Sequence, residues 1–315
     1  MIVYNTDDFT IEEPTAVTLG NFDGIHLGHQ KLIETIKNND KGLKTVVFSF
    51  YPHPVAFFGH KGKFRTMLDP REKCFVLNNM DIDYLVQYPF TSEFSALSPE
   101  EFVDLIVKKV NCKMLVVGEN YNFGKGRAGN YETLKQLGAK YGVEVIAIPS
   151  VSYGYMRVSS TRIRGLIDCG RLYDAMNMLK KPYFIINKVV EGEKRGRKMN
   201  FPTINLIPPD EKLLPADGVY VSLVNVRGTV YRGITNVGYN PTFDSDIRTV
   251  ETHIINFDED IYGEDVLVGF YDWIRTEQKF SCMDELKEQL ARDKQAAMSF
   301  PFPFLDFENK FGKKN

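Results

Sequence analysis

Val17-Thr18-Leu19-Gly20-Asn21-Phe22-Asp23-Gly24-Ile25-His26-Leu27-Gly28-His29 is the stretch on which the fold reading turns. Its apolar start reads as a strand, and a helical pattern over 30–38 follows it. In an open α/β sheet, a turn of this kind lies at the carboxyl ends of the strands, where ligands bind. Gly20, Gly24 and Gly28 allow close backbone approach, and the helix N-terminus favours an anion. His26 and His29 are three residues apart and therefore share one side of a helical turn. Two imidazoles beside a phosphate site can donate to phosphoryl oxygens and offset charge in a transition state. A bare pair of this spacing would otherwise read as a helix cap and a satisfied polar residue. No third ligand accompanies it, which argues against a metal site.

Outward from this stretch, the first half alternates apolar runs with helical patterns. Strands are predicted at 16–20, 44–50, 84–88, 114–118 and 143–148, and helices at 30–38 and 99–110. Such alternation predicts right-handed crossovers and a parallel, Rossmann-like sheet. The second half changes character. Runs at 184–190, 218–226, 230–237, 250–257 and 265–274 are β-branched and aromatic, with turn residues between them. Their close spacing predicts an antiparallel barrel or sandwich, closed by a helix over 283–298. A boundary is expected at Lys181-Pro182, because a helix usually ends before proline, giving domains 1–181 and 182–315. The tail 299–315 interleaves Phe and Pro and reads either as a docking strap or as disorder.

The 315 residues are 43% hydrophobic and 25% charged, enough apolar sequence for two cores, so general disorder is excluded. A net charge of −2 argues against a general electrostatic grip on nucleic acid. No apolar run approaches the ~20 residues that span a bilayer. The first ten residues lack the basic and apolar regions of a secretory signal. Cys74, Cys112, Cys169 and Cys282 are far apart, which argues against a zinc site or disulfide framework and favours a cytoplasmic setting.

A second phosphate-site candidate is Ser159-Ser160-Thr161-Arg162-Ile163-Arg164. Either serine makes a good N-cap, and the helix would aim hydroxyls, backbone N–H groups and Arg164 at an anion. By itself this segment could equally be an ordinary capped surface helix.

Together the two segments resemble the HxGH nucleotidyltransferases, and specifically the bacterial bifunctional FAD synthetases, which are riboflavin kinase/FMN adenylyltransferases. Phe48-Ser49-Phe50-Tyr51-Pro52-His53-Pro54 looks like that family's flavin-side loop. The segment from Val117 to Arg127 looks like its later glycine-rich loop, with Asn120 where many relatives have Asp. The resemblance implies attack of the FMN phosphate on the α-phosphorus of ATP, with pyrophosphate leaving. It assigns phosphate stabilisation to His26, His29 and Arg164. Triphosphate positioning falls to Asn21, Phe22, Gly24, Gly28, Ser159, Ser160 and Thr161. Flavin contacts fall to His53, Pro54, Asn120, Tyr121 and Phe123, the two aromatics being equally readable as core.

In the second half, Phe201-Pro202-Thr203-Ile204-Asn205 resembles the riboflavin kinase signature, preceded by a basic, glycine-containing segment around Gly196. The resemblance implies that Gly196, Thr203 and Asn205 hold ATP, and that Thr203 and Asn205 hold Mg²⁺ with the phosphates. Thr203 and Asn205 are i,i+2, so on a strand they face the same way. Further matches are Gly218-Val219-Tyr220, 233–238, Pro241-Thr242-Phe243, Val250-Glu251-Thr252-His253, Ile261-Tyr262-Gly263, Ile274-Arg275 and Lys279-Phe280. Glu251 is the implied general base for the ribityl 5′-hydroxyl. Without the resemblance it would read as an outward strand residue in an ion pair. His253 is given no catalytic role, and Arg275 is left open to a structural one.

The chain departs from the family at Asn187 and Asn200, where glycine is usual, and at Glu191, where histidine is usual. Asparagine tolerates left-handed backbone, so the geometry is expected to survive. The carboxylate at 191 is expected to weaken ATP binding. The reading is an enzyme that takes riboflavin to FMN in one module and FMN to FAD in the other, with small molecules as its partners. Two alternatives stay open: an FMN adenylyltransferase with a degenerate kinase module, and a flavin-binding regulator.

Overall fold

The structure, a computed structural model, describes residues 1–59, 64–192, 201–239, 248–304 and 306–311. Gly196, Asn200 and the Pro241-Thr242-Phe243 segment lie outside the described residues. The chain divides into two compact units, Met1–Ser160 and Thr161–Asn315.

The first unit is built on β1 (Ile2–Tyr4), β2 (Thr15–Leu19), β3 (Lys44–Tyr51), β4 (Tyr84–Pro89), β5 (Cys112–Gly118) and β6 (Glu144–Ile148). All neighbouring pairs are parallel, in the order β1-β4-β3-β2-β5-β6. β2 is central and buried along its whole length, with Val17 opposite Val46 on one side and Leu115 on the other. That explains its continuous apolar character. All five predicted strands are present. β1 is an additional short edge strand whose three residues carry too little pattern to be read.

The helices are α1 (Leu27–Lys37), α2 (Pro54–Phe58), α3 (Pro70–Asn78), α4 (Ser92–Ser95), α5 (Pro99–Val110) and α6 (Tyr131–Lys140). α5 shows why its sequence is legible: Ser98 and Glu101 form a capping box, Pro99 opens the helix, and Asn111 ends it in left-handed backbone. The chain runs outward through β2, β3 and β4, then returns to the other side of β2 for β5 and β6. The order therefore reverses between β2 and β5, which makes the loops after those two strands the expected ligand crevice. A short hairpin, β7 (Ser152–Tyr153) and β8 (Met156–Arg157), leads to α7 (Ser160–Asp168).

In the second unit, α7 leads into α8 (Leu172–Leu179), which packs on β9 (Tyr183–Lys188) and β14 (Asp265–Arg275). α8 ends at Lys180 in left-handed backbone, just before the proline expected to stop it. The division at Ser160/Thr161 falls before the expected Lys181-Pro182 boundary because α8 packs with the second sheet.

That sheet also contains β10 (Ile204–Leu206), β11 (Gly218–Val226), β12 (Thr229–Tyr239) and β13 (Arg248–Ile254), in the order β10-β13-β12-β11-β14-β9, antiparallel throughout. Just past β9, the Val190 N–H donates to the Asn205 carbonyl of β10 at 2.8 Å, so one bridge joins the two outer strands. Asn187 sits in regular strand opposite Val266, and its amide donates to the Ile207 carbonyl at 2.9 Å. Its tolerance of left-handed backbone is not used.

α9 (Met283–Ser299) closes the unit, and residues 300–304 beyond it form a strap. Phe300, Phe302 and Phe304 pack with Val221, Leu223 and Tyr271 of the barrel wall. Arg232 fastens the strap. Its Nη1 donates to the carbonyls of Ala297 at 2.7 Å and Phe300 at 3.3 Å, and its guanidinium lies 4.9 Å over the Phe302 ring. These bonds satisfy carbonyls that a helix end leaves without intrahelical partners.

Candidate active sites

The turn after β2 carries the first site. Phe22, Gly24 and Ile25 all have positive φ, at 50°, 84° and 45°. This winding brings His26 to the N-cap of α1, where its Nδ1 accepts from the His29 N–H at 3.3 Å. The proton on the His26 ring is thereby placed on Nε2. The two imidazoles stack with centroids 3.7 Å apart and planes 11° apart. His26 is thus both helix cap and half of a paired face. Gly28 makes the stack possible, since a Cβ there would stand 3.2 Å from the His26 ring. Phe22 is fully buried, with its ring 5.0 Å from His29, so its side chain supports the pair from beneath.

Three anchors hold the turn from below. The Asp23 carboxylate accepts from the N–H groups of Met67 and Leu68 at 2.8 and 3.2 Å. Ser160 Oγ donates to the Asp23 carbonyl at 3.0 Å, which brings the start of the Ser-Ser-Thr segment onto the histidine turn. Lys73 Nζ donates to the Asn21 carbonyl at 2.9 Å and to Ser49 Oγ at 2.8 Å. Burial pushes the Lys73 ammonium down to about 8, against an opposing pull from Asp23. Ser159 immediately precedes α7; Thr161 and Arg164 lie on it, Arg164 one turn beyond Ser160.

Beside this turn is a cavity of about 990 Å³. Loops after four strands build it: Gly20 and Asn21 after β2, Pro54 and Phe58 after β3, Phe90 and Phe94 after β4, and Asn120 to Arg127 after β5. Tyr121 and Phe123 stack at 5.9 Å along one wall of the cavity and also pack into the core. Phe123 is fixed by paired backbone bonds with Gly129, at 3.0 and 2.9 Å. Asn120 and Pro54 line the cavity, whereas His53 is not among its lining residues. His53 caps α2 and stacks on Phe64 at 4.5 Å.

The second unit has two cavities that share Thr203. One, of about 410 Å³, is lined by Val189, Pro202, Thr203, Thr252 and the loop 257–262. The other, of about 290 Å³, is lined by Thr203, Asn236, Glu251, His253, Arg275, Glu277 and apolar residues of α9. Glu251 is opposite Asn205 on β10 and Asn236 on β12, so the three stand in one row across the sheet. Asn205 Oδ1 is buried with no hydrogen-bond partner among the described residues. His253 Nδ1 pairs with the Pro202 carbonyl at 2.8 Å, its ring stacks on Phe201 at 3.6 Å, and burial holds its pKa below the usual histidine value. Arg275 is engaged by Asp293 through three contacts of 2.9–3.2 Å, in keeping with the structural alternative.

Lys73, Asn236 and Glu277 were not readable as site residues from sequence. Lys73 is one of several charges on an amphipathic helix, and Glu277 meets Asn236, at 2.9 Å, only through the barrel.

A parallel sheet with paired histidines at its switch point, followed by an antiparallel barrel with a carboxylate lining one of two cavities that meet at Thr203, defines a two-module phosphate-transfer enzyme. Residues 8–162 match the FAD synthetase family and residues 179–300 the riboflavin kinase family. The bifunctional riboflavin kinase/FMN adenylyltransferase of Bacillus subtilis is 33% identical over 91% of this chain and 92% of its own. That of Listeria monocytogenes is 35% identical over 94% and 95%. The chain belongs to the bifunctional riboflavin kinase/FMN adenylyltransferases. A solved structure from Streptococcus pneumoniae, described as a macrolide-efflux protein, is similar at a TM-score of 0.86 and 35% identity, covering 95% of this chain and 99% of that one. Among the described residues here, no helix is long and apolar enough to cross a membrane.

Proposed function

We infer that the chain phosphorylates riboflavin to FMN in its barrel and adenylylates FMN to FAD in its parallel-sheet unit, using ATP in both steps. The observation that carries this reading is that each unit has its own phosphate-binding candidate opening on its own cavity. One step attacks γ-phosphorus and the other α-phosphorus, so a single arrangement of groups does not serve both.

In the barrel, ATP is assigned to the larger cavity and riboflavin to the smaller, with Thr203 at their common wall. Glu251 faces the riboflavin side and accepts the 5′-hydroxyl proton as the oxygen attacks γ-phosphorus. The orphaned Oδ1 of Asn205 and the hydroxyl of Thr203 are hard oxygen donors of the kind that suit Mg²⁺. When bound, Mg²⁺ supplies neutralisation of charge on the ATP phosphates. Asn187 leaves β9 regular, which supports a working kinase fold over a degenerate one.

In the first unit, the isoalloxazine is assigned to the aromatic cavity. The FMN phosphate then faces the histidine turn. That phosphate is already ionised, so no base is required; alignment and charge stabilisation remain, and His26 and His29 are assigned to them, Arg164 being carried over from the family resemblance alone. All four cysteines are unpaired, which supports a reducing, cytoplasmic setting.

The test is chromatography of flavin products after incubating the chain with riboflavin, ATP and Mg²⁺. FMN followed by FAD is expected. FAD from supplied FMN but nothing from riboflavin would establish the degenerate-kinase alternative, and flavin binding without turnover the regulator.

A further inference from the structure

We propose that Lys73 is a positioning residue of the adenylyl-transfer site: from beneath the histidine turn it holds the Asn21 carbonyl and so orients the Asn21–Phe22 peptide toward phosphate. This rests on the assignment of FMN adenylylation to the first unit.

Lys73 belongs to α3, is 8% exposed, and is far in sequence from every phosphate motif. A buried ammonium is unfavourable unless its donors are used. Here they go to the Asn21 carbonyl and to Ser49 Oγ, and Ser49 Oγ itself reaches the same carbonyl at 3.1 Å. Two donors from two different elements therefore converge on one backbone oxygen. In a trans peptide the C=O and N–H point in opposite directions. Anchoring the Asn21 oxygen on Lys73 consequently turns the Phe22 N–H to the side away from Lys73. That N–H makes no hydrogen bond among the described residues, although Phe22 is fully buried. Buried backbone donors are nearly always paired. An orphan donor in a turn where Phe22, Gly24 and Ile25 have positive φ is a candidate contact for an anion.

The charge has a second consequence. Asp23 brings a buried carboxylate into the same turn, where it would repel a triphosphate. Lys73 lies within electrostatic reach of it and offsets that charge. A methionine of similar length would fill the same space but would neither hold the carbonyl nor balance Asp23.

The titratable groups facing Lys73 are Asp23 from the turn and Cys74 on its own helix, while Ser49 of β3 is neutral. Burial raises the Cys74 thiol, so it stays uncharged through the range in which Lys73 loses its proton. Deprotonation of Lys73 therefore removes the positive charge and, with it, one of the influences that offset Asp23.

The experiment compares the unmodified chain with Lys73→Met and Lys73→Arg. Each is assayed for FAD formation from FMN and ATP, FMN formation from riboflavin, and FMN binding by flavin fluorescence. Lys73→Met is expected to lose kcat for FAD formation by about 10²-fold, the scale of a misplaced binding group. Its FMN affinity and riboflavin phosphorylation should stay within twofold. FAD formation by the unmodified chain should decline above about pH 8, and Lys73→Arg should carry activity to higher pH. Lys73→Met forming FAD within threefold of the unmodified rate overturns the proposal. So does an alkaline limb shared by the unmodified chain and Lys73→Arg, which also decides the matter if Lys73→Met fails to bind FMN. An unmodified chain that makes no FAD overturns the functional assignment and the proposal together.

Discussion

Replacing Asp293 by alanine tests whether Arg275 is structural or acts on substrate. The Asp293 side chain is 1% exposed and that of Arg275 is 14% exposed. Arg275 Nε reaches both carboxylate oxygens at 3.2 and 3.1 Å, Nη2 reaches Oδ2 at 2.9 Å, and Gln289 adds a bond to Oδ1 at 2.7 Å. Removing one partner of a buried pair leaves the other charge uncompensated and costs about 3–5 kcal/mol. Arg275 retains some solvent access and a bond to the Thr276 carbonyl, so the lower end, about 3 kcal/mol, applies here. For a unit the size of 161–315, each kcal/mol lowers the melting temperature by about 2–4 °C, giving a fall of roughly 10 °C. Circular dichroism melting reads this directly, and FAD formation from FMN at 25 °C should be unchanged because it belongs to the first unit. The double variant Arg275→Met/Asp293→Leu replaces the ion pair by apolar volume and should recover most of the stability. If Asp293→Ala melts within about 2 °C of the unmodified chain, the desolvated-pair reasoning is wrong. If the double variant is stable yet phosphorylates no riboflavin, Arg275 acts on substrate and its structural reading fails.

Three other outcomes are expected. Glu251→Gln should lower riboflavin phosphorylation by about 10²–10⁴-fold, the range for a general base, and leave FMN adenylylation intact; His29→Ala should do the reverse, both read by product chromatography. Gly129→Ala should weaken FMN binding on the order of tenfold by fluorescence titration, a loss of about 1.4 kcal/mol, because its Cβ would stand 2.6 Å from the Phe123 ring that walls the cavity. Lys73 in the folded chain releases its proton near 8, whereas the unfolded chain keeps it to about 10.4, so stability should rise between those pH values by on the order of 3 kcal/mol. Urea unfolding at pH 7.5 and pH 10 checks the sign, and Lys73→Met should show less of the rise.

Much of the fold was legible because its signals are local. The run Thr15–Leu19 is buried on both faces and reads as a parallel strand wherever it is placed. Ser98, Pro99 and Glu101 announce α5 within four residues. β1 and β10 have three residues each, too few for a period, and exist because a neighbouring strand supplies their bonds. The tail read ambiguously for a related reason. Phe300 and Phe302 are ordered by Tyr271 and Arg232, and nothing within the tail itself points to either.

The same distinction runs through the sites. His26, Gly28 and His29 lie within one helical turn, so residue spacing and the stiffness of the backbone were enough to predict a paired imidazole face. Thr203 and Asn205 were expected to share a strand face by the same argument, but β10 begins only at Ile204, so Thr203 lies just before the strand. The sequence alone therefore determined two modules, their order, and the local motif in each. What only the tertiary structure decided was which distant groups meet those motifs. Lys73 beneath Asn21, Ser160 on Asp23, and Glu251 opposite both Asn205 and Asn236 depend on sheet order and register. Those are set by burial of the whole core, a collective free energy that no short window of sequence contains.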